Sequence, residues 1–119
     1  MNMDHHEMGR KSKAKGKRGE REVANILKAY GYNARRTAQY CGSTGDASDV
    51  IGLVGYHIEV KNVERLNLWK AIEQARHDAM EAGKNEVPVV VFKRSREQWQ
   101  ICLPFEDFLK MLGNSQGHT

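Results

Sequence analysis

Residues 48 to 61 read SDVIGLVGYHIEVK, and the fold depends on how this stretch pairs with itself. Two runs rich in apolar and β-branched residues, Ser48 to Leu53 and Tyr56 to Lys61, are separated by Val54 and Gly55 alone. So short a connection is typical of a β-hairpin, and we predict two antiparallel strands here. Hairpin pairing would bring Asp49 close to Glu59.

Side chains alternate along a strand, which divides the second run into an apolar face, Ile58 and Val60, and a polar face, His57, Glu59 and Lys61. If the polar face met solvent, Glu59 and Lys61 would be an ordinary surface pair. Two close carboxylates repel each other, however, unless a cation or a proton lies between them. Oxygen ligands of this kind suit magnesium, so Asp49 with Glu59 is a candidate metal site.

Three helices are predicted from apolar residues at helical spacing and from the residues that end them. The first runs from Glu20 to Tyr30 with Gly31 behind it, and the second from Leu68 to Ala82 with Gly83 behind it. The third is predicted from Pro104 to Leu112 and ends before Gly113.

The remaining strands are predicted at Asn33 to Thr37, Val87 to Phe92 and Trp99 to Leu103. The run from Val87 is continuously apolar, as in strands buried on both faces of a sheet. Tyr40 to Ala47 is rich in turn formers and is predicted to be an exposed loop. The order is α-β-β-β-α-β-β-α, and the predicted fold class is α/β, a mixed β-sheet flanked by helices.

Composition indicates a single domain of ordinary globular character, with 119 residues, 39% hydrophobic and 29% charged. No apolar run approaches the roughly 20 residues that span a bilayer. The N-terminus has no apolar stretch of a secretory signal, so we expect a cytoplasmic protein. Cys41 and Cys102 lack a CxxC partner and are predicted to be reduced thiols.

The charge is concentrated near the N-terminus, where Arg10 to Arg21 holds seven Lys or Arg residues and one acid. Such a run indicates a polyanionic partner, although a solvated disordered tail has the same composition. We predict a flexible basic arm at 1–18, a folded domain at 19–113 and a tail at 114–119. His5 and His6 fall in the arm and are a poor preformed metal site.

These motifs resemble those of the PD-(D/E)xK nuclease superfamily, and within it the archaeal-type Holliday junction resolvases and related phage enzymes. The resemblance runs from Gly16 to about Leu103. It rests on the order and spacing of five features: GERE at 19–22, Arg36, SDVIG at 48–52, IEVK at 58–61, and the apolar strand at 87–92 followed by Trp99. The resemblance implies a restriction-endonuclease-like fold.

The resemblance also implies roles for individual residues. Asp49 and Glu59 would ligate a metal, helped by the main-chain carbonyl of Val60, and Lys61 would be the catalytic lysine. Helical geometry does not choose between Glu20 and Glu22 for a further acid, and the family pattern selects Glu20, whose charge would equally suit a helix N-terminus. Gln74 matches an accessory glutamine of some superfamily members and is otherwise an exposed helix residue.

Some features depart from the family pattern. Serine, not proline, precedes Asp49; Asp46 is a competing acid; and the loop at 40–47 is long. His57 has no role in the family pattern and is interpreted as a peripheral side chain. Candidate DNA contacts, which could also be solvated surface residues, are Arg10, Lys11, Lys13, Lys15, Lys17, Arg18, Arg21, Arg35, Arg36 and Ser43.

The expected activity is a Mg2+-dependent, structure-selective endodeoxyribonuclease, with Mn2+ as a possible substitute, that makes paired nicks in four-way DNA junctions. Two symmetric nicks suit a C2 homodimer, with Trp69 or Trp99 at the interface or in the core. Two alternatives stay open: a nuclease of the same superfamily acting on flaps, ends or duplex DNA, and a non-catalytic nucleic-acid-binding module.

Overall fold

The computed structural model describes residues 5–37 and 48–115, and its elements follow the predicted order. They are α1 (His5–Ala29), β1 (Arg35–Arg36), β2 (Val50–Ile51), β3 (Tyr56–Asn62), α2 (Leu68–Ala82), β4 (Val87–Lys93), β5 (Gln100–Cys102) and α3 (Phe105–Ser115). The predicted fold class, α/β with a mixed sheet flanked by helices, is confirmed. The predicted loop at 40–47, with Ser43 and Asp46, lies outside the described residues.

The five strands form one sheet in the order β1-β2-β3-β4-β5. β3 and β4 are parallel, whereas the other neighbouring pairs are antiparallel. The parallel pair requires a crossover, which α2 provides. Asn67 caps the start of α2 by accepting the Lys70 N–H at 3.1 Å, and Gly83 ends it with a left-handed φ of 68°.

The predicted hairpin is formed by β2 and β3, with Val50 opposite Ile58. Gly52 lies in the hairpin connection with a φ of 117°, and a Cβ there would overlap the carbonyl oxygen of Asn33. A side chain at this position would therefore collide with the backbone that leads into β1. Gly52 allows the hairpin to lie close to the segment that leads into β1.

The sheet is buried on both faces. Val23 and Ala24 of α1 pack with Ile58 and Val60 on one face, and a second cluster of Ala71, Ala75 and Val90 lies under α2. Small alanines on α2 let the helix approach the sheet closely. The face of β3 that carries His57, Glu59 and Lys61 is consequently covered by protein, with only Lys61 of the three partly exposed.

α1 begins at His5, so the predicted start of the first helix at Glu20 is wrong. The run before Gly19 is rich in Lys, Arg and Ala, which favour a helix without the apolar periodicity used to find one. Tertiary contacts hold its end, because the Lys15 carbonyl accepts a hydrogen bond from Asn62 Nδ2 at 3.1 Å. The division into arm, domain and tail stays a prediction.

α3 continues to Ser115, beyond the predicted stop at Gly113, because glycine weakens a helix without forbidding it. The Pro104 carbonyl accepts the Phe108 N–H at 3.0 Å and so opens this helix. Trp99, predicted to start the last strand, lies just before β5. In the described part of the chain, no helix combines the length and the apolar character needed to cross a membrane.

Candidate active site

Asp49 lies directly before β2, where the backbone pairing of the hairpin gives way to a side-chain contact. The Asp49 N–H donates to the Ile58 carbonyl at 2.8 Å, and two residues further along β3 the Val60 N–H donates to the Asp49 carboxylate at 2.8 Å. The Asp49 carboxylate thus accepts a hydrogen bond that a backbone carbonyl would accept in a regular strand pairing. This exchange fixes the direction of the Asp49 side chain.

Thr37 braces the backbone of Asp49 from the other side. The Thr37 N–H donates to the Asp49 carbonyl at 3.1 Å, and the Thr37 hydroxyl lies within hydrogen-bond distance of the Ser48 carbonyl at 2.5 Å and of the Asp49 carbonyl at 3.1 Å. No motif in the sequence indicated this role, because it depends on the pairing of β1 with β2. Asp49 is therefore held between two neighbouring strands.

Asp49 and Glu59 face each other, as the hairpin predicts. Burial, followed by the neighbouring charge of Glu59, raises the pKa of Asp49 to about 7. The Val60 N–H and the charge of Lys61 act in the opposite direction. A cation between the two carboxylates would relieve the same repulsion that the proton relieves.

Glu20 of α1 completes one side of the site through Arg36 of β1. Arg36 Nε donates to Glu20 Oε1 at 2.7 Å, and both side chains are largely buried. Burial and then the charge of Asp49 raise the pKa of Glu20, while Arg36 opposes this shift. Glu22, the alternative acid, instead faces Trp99 and Lys93. The tertiary structure thus separates two acids that helical geometry had left equivalent.

Lys61 and Gln74 form the other side of the site. Lys61 Nζ donates to Gln74 Oε1 at 3.0 Å, which joins β3 to α2. Lys61 also lies close enough to Asp49 for its charge to act on the carboxylate. Gln74 therefore contacts the predicted catalytic lysine, rather than being an unconnected surface residue.

His57 is not a peripheral side chain, and its interpretation as one is wrong. Its ring is fully buried, and Nε2 lies 3.1 Å from Glu59 Oε1. The alternation of β3 already placed His57 on the face of Glu59, but the sequence did not reveal that α2 would cover that face. His57 is thus a direct neighbour of the candidate site.

The predicted DNA contacts among the described residues lie on two elements, α1 and β1. The basic residues from Arg10 to Arg21 lie along α1, where Lys15 pairs with Glu64 at 2.9 Å. Arg35 is exposed on β1, whereas Arg36 is paired with Glu20. Ser43 lies outside the described residues.

The donor set fits a magnesium ion held by few protein ligands. Within residues 5–37 and 48–115, no group of three or more His, Cys, Asp or Glu side chains could hold a metal. Asp49 and Glu59 nevertheless supply two close, largely buried carboxylates, and magnesium is commonly bound through one or two carboxylates with water as its remaining ligands. The two carboxylates therefore suit a hard divalent cation such as magnesium. They differ from the nitrogen and sulfur ligands that are typical of zinc sites.

The chain matches a known protein family and a solved structure. A family model described as "Phage putative PDDEXK endonuclease" matches residues 11–118. Among solved structures, the chain is similar to Hjc from Archaeoglobus fulgidus, a Holliday junction resolvase from an archaeal hyperthermophile. The two are 28% identical over 74% of this chain and 76% of that chain, with a TM-score of 0.58. No curated protein matches the chain. The resemblance inferred from sequence, including its restriction-endonuclease-like fold, is confirmed.

Proposed function

The chain belongs to the family of phage PD-(D/E)xK endonucleases, and from this membership we propose that it is a Mg2+-dependent, structure-selective endodeoxyribonuclease that resolves four-way DNA junctions. The observation that carries the proposal is the convergence of Asp49 and Glu59 beside Lys61. The similarity to an archaeal resolvase supports the choice of substrate.

The proposed ligands of the metal are the carboxylates of Asp49 and Glu59 and the main-chain carbonyl of Val60. When bound, the ion supplies Lewis-acid polarisation of the phosphodiester and lowers the pKa of a coordinated water. Lys61 stabilises negative charge that develops on the phosphate, and Gln74 holds its ammonium group in place. Mn2+ is expected to substitute because it accepts the same oxygen ligands.

Glu20 and Arg36 are proposed to complete the site at the edge nearest α1. The Arg36 guanidinium holds Glu20 in a fixed orientation beside Asp49. A phosphate that enters the site would meet the cations of Arg36 and Lys61 from two sides. Arg36 therefore helps to position the substrate phosphate as well as the Glu20 carboxylate.

The basic residues of α1 are proposed to hold a DNA arm that leads into the site. α1 has 25 residues and so extends about 37 Å. Lys13 and Lys17 share a helical face with Glu20, and the charge of Lys17 acts on Glu20. Phosphates bound along this face would be guided toward Asp49 and Glu59.

Junction resolution requires two nicks related by symmetry, so we propose a C2 homodimer with two active sites. Trp69 is 77% exposed on α2 and is available for an interface. Trp99 instead packs against the α1 core cluster, and Lys93 Nζ lies 5.6 Å from the centre of its ring. Trp69 is therefore the better candidate of the two tryptophans.

The decisive experiment compares cleavage of a four-way junction, a flap, free ends and linear duplex DNA, each with Mg2+ and with EDTA. We expect paired nicks confined to the junction. Asp49→Asn and Glu59→Gln should each slow cleavage by about 1,000-fold or more, because the metal loses a ligand, while junction binding persists. Glu81→Gln, an exposed acid of α2, is the matched control and should cleave normally.

Each other result has a distinct meaning. Metal-dependent cutting of flaps, ends or duplex DNA would support the assignment of the metal site but would show that the substrate is not a four-way junction. A folded protein that binds junctions with equal affinity in Mg2+ and EDTA, and cuts none of the DNAs, would favour a binding module. Normal cleavage by either ligand variant would refute the assignment of the metal site.

A further inference from the structure

His57 occupies a position that an apolar residue would fill at lower cost. Its ring is 0% exposed on the α2 side of the sheet, two residues before Glu59 on the same face of β3. Burying an imidazole requires that its ring nitrogens find partners, because an unpaired buried polar atom loses its hydration without compensation. The contacts of the two nitrogens therefore indicate why a histidine is present.

The Nε2 atom has a partner in the candidate site. It lies 3.1 Å from Glu59 Oε1, within hydrogen-bond distance. Because a carboxylate oxygen accepts, Nε2 donates, which fixes the tautomer of a neutral ring. This contact also raises the pKa of His57, against the opposing effect of burial.

The Nδ1 atom has no hydrogen-bond partner among the described residues. The nearest acid is Glu86, whose Oε1 lies 3.8 Å away, too far for a hydrogen bond. Burial of Nδ1 without a partner in the described part of the chain thus costs free energy. Nε2, by contrast, makes a hydrogen bond, which is to Glu59. The contact with Glu59 is what the buried histidine contributes.

Glu59 needs such a contact once a cation replaces the proton between it and Asp49. The two side chains share a hydrogen bond while Asp49 is protonated, and loss of that proton would leave the Glu59 carboxylate free to rotate away from Asp49 unless another donor restrains it. A donor fixed in the strand holds one oxygen of Glu59 and so limits that rotation. Residues that orient a metal-binding carboxylate in this way typically change metal affinity 10- to 100-fold when removed.

We propose that His57 is a positioning residue that, through Nε2, holds the Glu59 carboxylate in the orientation that the metal site requires. The inference rests on the proposed function, since it assumes that Glu59 binds the ion. It goes beyond the family resemblance, whose pattern gives this position no role. His57 itself touches neither the metal nor the DNA.

The test compares His57→Gln, which retains an N–H donor of similar reach, with His57→Leu, which fills the space without a donor. Calorimetry with Mn2+ on each folded protein measures metal affinity directly, and thermal unfolding checks the fold. We expect His57→Leu to bind Mn2+ about 10- to 100-fold more weakly and to require correspondingly more metal for half-maximal cleavage. We expect His57→Gln to retain most of the wild-type affinity.

A second measurement uses the wild-type chain and covers the case in which His57→Leu does not fold. Addition of Mg2+ should shift the 15N resonance of His57 Nε2 in proportion to metal binding, because its acceptor becomes a ligand. His77, an exposed histidine of α2, is the internal control and should not shift.

The outcomes separate the inference from the proposed function. If wild-type protein binds neither Mn2+ nor Mg2+, the proposed function fails and the inference fails with it. If wild-type binds metal but His57→Leu binds it equally well, or the His57 resonance ignores saturating Mg2+, only the positioning role is refuted. An equal loss of affinity in His57→Gln and His57→Leu would also refute it, because donation would not matter.

Discussion

Lys61 Nζ and Gln74 Oε1 lie 3.0 Å apart and join the central strand β3 to the crossover helix α2. The contact spans 13 residues of sequence and is made at the solvent-facing edge of the site. Lys61 has a competing neighbour in Asp49, whose carboxylate also attracts its ammonium group. Lys61 thus lies between the charge of Asp49 and a hydrogen-bond acceptor on α2.

Removal of the Gln74 carbonyl should therefore lower activity without affecting DNA affinity. We expect Gln74→Met, which keeps the length of the side chain, to slow single-turnover cleavage about 10-fold, because Lys61 is no longer held in place. Junction binding in EDTA should be unchanged. Glu73→Met, at the exposed neighbouring position of α2, serves as the control, and equal rates for the two variants would contradict the role of Gln74.

Asp49 makes the stability of the metal-free protein depend on pH. Its pKa rises from 3.8 to about 7 through burial and the charge of Glu59. Between these values the folded protein keeps a proton that the unfolded chain has released, so the free energy of unfolding falls as pH rises. Below pH 3.8 Asp49 is protonated in both the folded and the unfolded state, so its contribution to stability does not change with pH. Above about pH 7 Asp49 is ionised in both states, and the decrease in the free energy of unfolding is complete.

This dependence can be isolated by comparing wild-type with Asp49→Asn in EDTA from pH 4 to pH 8. At pH 8 we expect the variant to unfold about 5 °C above wild-type, and the gap should close toward pH 4. Addition of Mg2+ at pH 8 should stabilise wild-type more than the variant. Parallel pH profiles for the two proteins would show that Asp49 titrates normally.

Glu64 links three separate segments through its carboxylate. It accepts hydrogen bonds from the Ser95 hydroxyl, from the Ser95 N–H at 3.1 Å and from Lys15 Nζ at 2.9 Å. These donors lower the pKa of Glu64 to about 2, the Ser95 hydroxyl having the largest effect. The exposed residue thereby fastens the basic part of α1 to the turn between β4 and β5.

Glu64→Gln should loosen α1 before Gly19 while leaving the core unchanged. We expect limited trypsin digestion to cut the Arg10 to Arg18 segment about 5-fold faster, because local opening exposes its lysines and arginines. The midpoint of thermal unfolding should move by less than about 2 °C, since exposed ion pairs contribute little. Glu106→Gln on α3 is the control, and digestion indistinguishable from it would refute the link.

Gly52 should be essential for the fold because two separate constraints meet there. Its φ is 117°, and an added Cβ would overlap the Asn33 carbonyl oxygen. Gly55 also has a left-handed φ, 91°, but a Cβ there meets nothing within 4 Å. Gly55→Ala should cost about 1 kcal/mol of unfolding free energy, and Gly52→Ala about 3 kcal/mol or more. Urea denaturation measures both changes, and an equal loss of unfolding free energy in the two variants would show that the overlap with Asn33 does not matter.

The sequence predicted most of the fold because the strands and helices carry strong local patterns. The bounds of α2 match their prediction at both ends, since Leu68 and Gly83 mark apolar periodicity and a glycine stop. The α1 start was missed because a charged helix has no apolar stripe to detect. The end of α3 was missed because Gly113 is only a weak helix breaker.

The sequence by itself indicated which carboxylates meet, because a short connection predicts a hairpin that sets the strand beginning near Asp49 against the strand that carries Glu59. The register that places Asp49 opposite Glu59 was decided by the structure, in which residues 52–55 connect β2 to β3. The sequence could not determine that the polar face of β3 is buried. That outcome depends on α2 crossing over the sheet, which also positions Gln74 beside Lys61. Helical periodicity left Glu20 and Glu22 equivalent, and only the tertiary structure gave a physical reason for Glu20, because its contact with Arg36 joins separate elements and leaves no periodic signal in the chain. Burial beneath α2 likewise turned His57 from a surface neighbour of Glu59 into its buried hydrogen-bond partner.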